Sequence, residues 1–375
     1  MIVPVEGLVF GWRSALLSVA IGQLLVLAVA LTRPLANRVA NRTLATLLVV
    51  LAGIVTPWAI GFAGFYDRWR WLTFAPFQIT LAVAPLLWLY VRALTTGGWP
   101  ARGWRHLLPA GAQFAYLLAG FLLPWPLKDR WSDLSYAAVG QATDLLTVVG
   151  LAAYGLAGLG TLRRYRIELA EQRSDDARFA ARWLARALVA AALLLPVWAS
   201  YVAWNAVAPL GYQGLMGLYV AIAAFALFLG IEGWRHAAQP FPRVEQPVAE
   251  PAPARDWLAQ GEAWAVTVVA AGWAADPDLT LPLLARRLGT NTSYLSRALN
   301  DGLGQSFSAF VNGLRSRSVA AAIDAGDPRP LLELALDAGF ASKASFNRAF
   351  QASFGESPSA YRRASSHEKR GPSAN

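Results

Sequence analysis

The chain has no cysteine, three histidines and three lysines among its 375 residues. Without a thiol it can have no disulfide framework, no thiolate nucleophile and no cysteine-ligated metal. His106, His236 and His367 stand far apart and no HExxH spacing occurs, so a zinc site built on histidine is not expected either. Lys128, Lys343 and Lys369 fall outside the long apolar runs, which removes a retinal-type Schiff base within a span. No GxxxxGK[ST] stretch is present to cradle a nucleotide phosphate. Charged residues are scarce at 15%. These absences argue against an enzyme: no catalytic residue, metal or cofactor is expected.

What the chain has in excess is apolar surface. It is 56% hydrophobic with 16 tryptophans, and its mean hydropathy is +0.38. A soluble protein of this length is far less apolar, whereas a polytopic membrane protein looks like this. Seven segments come near the roughly 20 apolar residues that a bilayer requires, at 8–31, 43–65, 74–94, 107–123, 136–162, 185–207 and 215–233. The first lacks the basic start and small-residue cleavage site of a signal peptide.

Arginine placement predicts the orientation. The loops after the first, third and fifth segments carry twelve arginines, against five basic residues (Arg13, Arg68, Arg70, Lys128 and Arg130) on the other side. The positive-inside rule then puts the amino terminus outside and the carboxyl terminus in the cytoplasm of a cell inner membrane. The same bias accounts for the net charge of +10. From Asp256 onward 12 Lys and Arg meet 11 Asp and Glu, so the last third is nearly neutral. Net charge is therefore no argument for nucleic-acid binding.

Residues 236–255 contain five prolines between Pro240 and Pro253, the composition of an extended, semi-rigid tether. A helix over 256–273 follows; its apolar run is too short to span and is expected to pack on the neighbouring domain or on a second copy of itself.

The last third carries the recognisable chemistry. In GFASKASFNRAFQASFGESPSAYRR, residues 339–363, Gly339 suits a left-handed turn between a helix at 331–338 and the next one. In that second helix Phe346, Ala349 and Phe350 share one face, while Ala344, Asn347, Arg348 and Gln351 project opposite at about 100° per residue. Lys343 stands at its start. Amide, guanidinium and ammonium groups on such a face can read base edges and hold phosphates in a major groove. Gly355, Pro358 and Tyr361 are expected to end the helix and fold the tail back as a plug.

A similar unit precedes it. Leu283, Leu284 and Leu288 make an apolar stripe, Gly289 stops it, and Thr292 is positioned to cap a helix with Leu295, Ala298 and Leu299 inward and Ser293, Ser296, Arg297 and Asn300 outward. A helix over 306–324, with Phe310, Val311, Leu314, Val319, Ala322 and Ile323 at three- and four-residue steps, would space the two units. About 19 residues at 1.5 Å each make a rod of roughly 28 Å, comparable with the roughly 34 Å between successive major grooves.

With YLSR at 294–297, the pair Leu314 and Arg315, LELA at 332–335, and the GF, F, R, F, FG, P, YR series ending at Arg363, residues 278–364 resemble the DNA-binding domain of the AraC/XylS family of bacterial transcription regulators. The resemblance implies two helix-turn-helix units joined by a long helix and binding promoter DNA. Gln351 stands where the family usually has lysine, and Val319 where its linker helix usually has alanine. The DNA-reading residues expected are Ser293, Ser296, Arg297, Lys343, Asn347 and Arg348.

Within the apolar part, Gln141 and Asp144 share a helix face, and Tyr201 and Asn205 lie near Pro196; all four map to the outer half of the bilayer. Ionisable groups at that depth are costly and usually face a bundle interior. They define a candidate sensor pocket anchored by Asp144. The alternative is an interfacial aromatic belt with amides bonding neighbouring helices.

The fold class expected is all-α, a seven-helix transmembrane bundle (1–235) and linker (236–255) followed by a cytoplasmic double helix-turn-helix domain (256–364) and a disordered tail (365–375). The function expected is a membrane-embedded one-component transcription regulator. A transporter or membrane enzyme with an attached DNA-binding control domain is the alternative. Expected partners are double-stranded promoter DNA, membrane lipid, a small-molecule signal, a second copy of the chain and the transcription machinery.

Overall fold

Helices account for the whole of the regular structure described in the computed structural model, which covers residues 8–208, 210–242 and 256–370. They fall into two compact parts: one formed by residues up to Arg163 with Arg182–Arg243, the other by Arg164–Ala181 with the chain from Val244 onward. No strand occurs among the described residues. The proline-rich stretch over 243–255 and residues 371–375 lie outside them.

The first part begins with α1 (Trp12–Leu31) and α2 (Arg38–Phe62), which pack along one another. The short α3 (Phe65–Arg68) leads into an irregular stretch before α4 (Val83–Thr96); α5 (Leu108–Leu122) and α6 (Trp125–Trp131) follow. Then comes α7 (Ala137–Gln172), whose last turns from Arg164 belong with α8 (Asp176–Phe179) to the second part; α9 (Arg182–Val207) and α10 (Gly211–His236) complete the first. The core of this part is α2, whose Leu44, Leu47, Leu48, Leu51 and Val55 are buried against α1, α4 and α10. Helix α10 comes close because Gly230 and Gly233 present no side chain to Leu48 and Leu44. Small residues at such crossings let backbones approach, as is usual between helices in lipid. Buried Asn41 donates to Ala36 O at 2.9 Å and Ala237 O at 3.0 Å, tying the end of α10 to the start of α2.

Among the described residues five helices are long and apolar enough to cross a membrane: Trp12–Leu31, Arg38–Phe62, Ala137–Gln172, Arg182–Asn205 and Gln213–His236. The segments expected at 74–94 and 107–123 form shorter helices, 14 residues in α4 and 15 in α5. At 1.5 Å per residue each is roughly 21–22 Å long, short of a hydrocarbon core of about 30 Å. The cause is local. Pro76 cannot donate a helical hydrogen bond, Phe74 adopts φ +67°, and the chain regains helix only through a tight turn at Thr80–Ala82. Side chains from elsewhere satisfy the backbone of this break. Gln113 accepts from Leu81 N–H at 3.0 Å and donates to Gln78 O at 3.0 Å, and Lys128 donates to Trp71 O at 2.8 Å. Lys128 is buried, and desolvation pushes its ammonium pKa down.

A second difference concerns α7. The segment expected over 136–162 continues as helix to Gln172. Its last turns, RRYRIELAEQ, are polar but rich in good helix formers.

The second part contains α11 (Trp257–Ala270), α12 (Leu281–Arg287), α13 (Thr292–Arg297), α14 (Phe307–Ala325), α15 (Leu331–Asp337), α16 (Lys343–Phe354) and α17 (Pro358–Arg370). Two cores lie along α14. Phe307, Phe310, Val311 and Leu314 join Leu281, Leu284, Leu295 and Leu299 in one. Val319, Ala320 and Ile323 join Leu334, Ala335, Phe340, Phe346 and Phe350 in the other. Helix α11 adds Val268 to the first core and lays Gly261 against Ala298 O, so it packs on the first helix-turn-helix unit.

Candidate nucleic-acid interface

Each of two helix pairs in the second part makes the same turn. In the first, Thr290 N–H bonds Ala285 O at 2.9 Å and Gly289 has φ +66°. In the second, Phe340 N–H bonds Ala335 O at 2.9 Å and Gly339 has φ +95°. These are C-terminal locks of the kind that glycine makes cheap, repeated after fifty residues. At Gly339 there is a further demand: a Cβ would stand 2.6 Å from Ala275 O.

The helix that follows each turn is capped by a side chain. Ser342 Oγ accepts from Ser345 N–H at 3.2 Å at the start of α16. At α13 the cap is Asn291, accepting from Tyr294 N–H at 2.8 Å, rather than the expected Thr292, which is already helical. Asparagine is the stronger cap; its side-chain oxygen takes Tyr294 N–H while its backbone carbonyl takes Leu295 N–H at 3.1 Å. Helix α14 starts at its cap Ser306 and runs 19 residues, close to the expected bounds.

In α16 the buried and exposed faces fall where the helical spacing puts them. Phe346 and Phe350 are buried, with ring centroids 5.6 Å apart, while Lys343, Ala344, Asn347, Arg348 and Gln351 are exposed. Tyr361 returns onto this helix, its ring 5.4 Å from Phe350 and 5.2 Å from Phe354. Its hydroxyl donates to Asp324 at the end of α14. The tail continues as helix through residues 365–370.

The corresponding face of the first unit differs. Leu295, Ala298 and Leu299 are inward, but Ser293, Ser296, Arg297 and Asn300 are half-buried. After Arg297 the helix widens into a π-type turn over Ala298–Gly302, closed by Leu303 N–H on Ala298 O at 3.0 Å. Asn300 Nδ2 donates to Ser296 Oγ at 3.2 Å and to Glu171 Oε2 at 2.8 Å. Glu171 lies 129 residues earlier in the chain.

Arg315 holds the two pairs together. It is 2% exposed, donates to Ala274 O and Asp276 O at 2.7 Å each, and reaches Asn312 Oδ1 at 3.3 Å. Its guanidinium lies over the Phe340 ring of the second pair at 5.8 Å. Burial pushes its pKa down to about 10, partly opposed by Asp175 and Asp276, and leaves it protonated at neutral pH.

The four residues of the expected sensor pocket lie on two helices. Gln141 is exposed and Asp144 half-buried on α7; Tyr201 is half-buried and Asn205 exposed on α9. Asn205 Oδ1 accepts from Leu210 N–H at 3.2 Å, so it closes the turn after α9. The Tyr201 hydroxyl occupies the place that a side chain on Gly217 would take. No hydrogen bond joins the α7 pair to the α9 pair among the described residues.

Comparison with known proteins bears on the second part. A family described as a helix-turn-helix domain matches residues 284–364. The transcriptional regulator Rob of Salmonella typhimurium is 33% identical over 90 residues, 24% of this chain and 31% of its own. The right origin-binding protein of Escherichia coli K12 is 33% identical over 88 residues, 24% of this chain and 30% of its own. This chain thus spans about a third of the length of those relatives. No solved structure matches. Residues 284–364 are a helix-turn-helix domain of the AraC type, in agreement with the resemblance carried by residues 278–364.

Proposed function

We propose that this chain is a membrane-embedded one-component transcription regulator, which binds promoter DNA sequence-specifically through its two helix-turn-helix units and senses a signal through its apolar helices. The observation that carries the reading is one chain holding both parts: among the described residues five helices long and apolar enough to cross a membrane, and an AraC-type domain at 284–364. One relative is named a transcriptional regulator and another an origin-binding protein, both tasks performed on DNA. The arginine bias supports a cytoplasmic carboxyl terminus in an inner membrane.

Ser293, Ser296 and Arg297 of the first unit and Lys343, Asn347 and Arg348 of the second are the proposed readers. Serine and asparagine suit base edges, and arginine suits guanine bidentately. Domain boundaries at 235, 255 and 364 are part of the proposal. So are lipid, a second copy of the chain and the transcription machinery as partners. The proposed sensing end is the Gln141 end of α7 with the Tyr201 end of α9, anchored by Asp144. An Asp144→Asn variant that still responds to every inducing condition removes that anchor.

The regulator reading is tested in cells carrying the full chain or its Arg297→Ala/Arg348→Ala variant. DNA is crosslinked, membranes are floated, and the retained fragments are sequenced. Discrete fragments in the membrane fraction, lost in the variant, are expected. Recovery of the chain among soluble proteins, or fragments indifferent to the variant, rejects it.

A further inference from the structure

Residues Arg164–Ala181, the end of α7 and the stretch that leads to α9, belong to the same compact part as the DNA-reading domain. The contacts are specific. Ser174 Oγ donates to Leu279 O at 3.0 Å, and Asn312 Nδ2 donates to Ser174 O at 2.9 Å. Ser308 Oγ donates to Asp176 Oδ1 at 2.9 Å, and Asn300 Nδ2 donates to Glu171 Oε2 at 2.8 Å. Arg173 pairs backbone to backbone with Thr280, the cap of α12. Ser174 and Asp175 are buried, and Arg173 holds Asp175 at 2.7 Å, so the segment is folded onto the domain rather than passing over it.

Residues 171–176 hold three carboxylates against one guanidinium, that of Arg173, which is paired with Asp175 and leaves Glu171 and Asp176 as the unneutralised charges. Glu171, Asp175 and Asp176 bring carboxylates to the first helix-turn-helix unit, and Glu171 binds the residue that in turn binds Ser296 on the proposed reading face. A duplex approaching that face brings a dense row of phosphates. Like charges at such distances repel, most strongly where water is displaced. We propose that residues 171–176 form an autoinhibitory clasp on the first unit, with Glu171 at the edge of its reading face, and that this unit engages DNA only when the clasp is released. The clasp rests on the reading of the first unit as a DNA reader. Its first two residues, Glu171 and Gln172, are the end of α7, a single helix from Ala137 to Gln172, so a displacement of that helix end breaks hydrogen bonds that tolerate only a few tenths of an ångström.

The absence of native cysteine makes the test direct. The full chain in lipid nanodiscs is given an Asp176→Cys/Ser308→Cys pair and oxidised to lock the clasp, and a Glu171→Ala/Asp176→Ala variant opens it. The probe is a random-sequence duplex pool together with the duplexes that the wild type enriches from it. We expect the locked form to bind at least about tenfold more weakly than the same molecule after reduction, and the open variant about tenfold more tightly than wild type. Equal binding by locked and reduced forms overturns the clasp whatever the open variant does, since the two states share one sequence and one fold. If wild type binds and Arg297→Ala weakens it while the lock changes nothing, the clasp alone fails. If neither wild type nor the open variant enriches any duplex, the DNA-reading assignment fails and the clasp with it.

Discussion

Replacing Arg315 by methionine isolates what joins the two helix-turn-helix units. Methionine keeps much of the apolar stem and removes the guanidinium, which leaves Ala274 O and Asp276 O without their 2.7 Å donors in a site only 2% exposed. An orphaned buried acceptor costs about 1–3 kcal/mol, so the two together cost about 2–6 kcal/mol. Part of that is returned, because the buried charge itself is disfavoured, as the fall of its pKa to about 10 records. A net loss of about 2–4 kcal/mol is expected, a large share of the 5–15 kcal/mol that holds a typical domain. Hydrogen exchange of the full chain in micelles, read by mass spectrometry, resolves this locally. Amides of α14 should exchange roughly 30- to 1,000-fold faster, while those of α1 and α2 keep their protection. Arg315→Lys, with a charge but no fork, should fall between. Acceleration of α14 below about threefold, or equal acceleration in α1 and α2, refutes the assignment of Arg315 as the tie.

Gly339→Ala should cost at least about 1–2 kcal/mol, because φ +95° is strained for alanine and its Cβ meets Ala275 O; exchange should quicken in α15 and α16, and unchanged protection there contradicts it. Arg297→Ala and Arg348→Ala should each weaken enriched duplexes by about 1–3 kcal/mol and relax preference at one base, whereas a uniform loss across sequences assigns the residue to a phosphate. Gln113→Leu orphans Leu81 N–H and Gln78 O, so limited proteolysis over 73–82 should accelerate severalfold; a cleavage rate equal to wild type shows that the break needs no support from α5.

The helix-turn-helix domain was legible because its determinants are local. Gly289 and Gly339 mark the turns, Phe346 and Phe350 mark the inward face, and the three- and four-residue steps from Phe310 to Ile323 mark the shared helix, each readable within one turn or two. Where two local signals competed, the pattern did not decide: Asn291 and Thr292 can both cap, and the hydrogen bond from Thr290 to Ala285 fixes the chain so that Asn291 takes the role. The apolar helices show a different limit. Hydropathy over 74–94 sees Phe74, Phe77 and Ile79 as membrane-like and does not sense that Pro76 and a positive φ at Phe74 stop a helix from forming there. Conversely the fall in hydropathy after Leu162 ends an apolar run but not a helix. The contacts of Ser174 and Asp176 with Leu279 and Ser308 bridge more than a hundred residues, and no local pattern announces them.

The shared helix decides how a blocked first unit affects the second. Helix α14 gives Val311 and Leu314 to one core and Val319 and Ile323 to the other, and Arg315 lies between them with donors toward residues 274–276 and its face on Phe340. Rotating one unit against the other would withdraw buried leucine and valine from a packed interior, at about 25 cal/mol for each Å² exposed, besides breaking the Arg315 bonds. The units therefore approach DNA as one body. Their common rod of 19 residues is roughly 28 Å long, comparable with the roughly 34 Å between successive major grooves. A body of that kind cannot bring Lys343 and Arg348 fully into one groove while Glu171 holds the other head off the next. A clasp on the first unit is thus sufficient to weaken both, and the exposed second face need carry no inhibitor of its own.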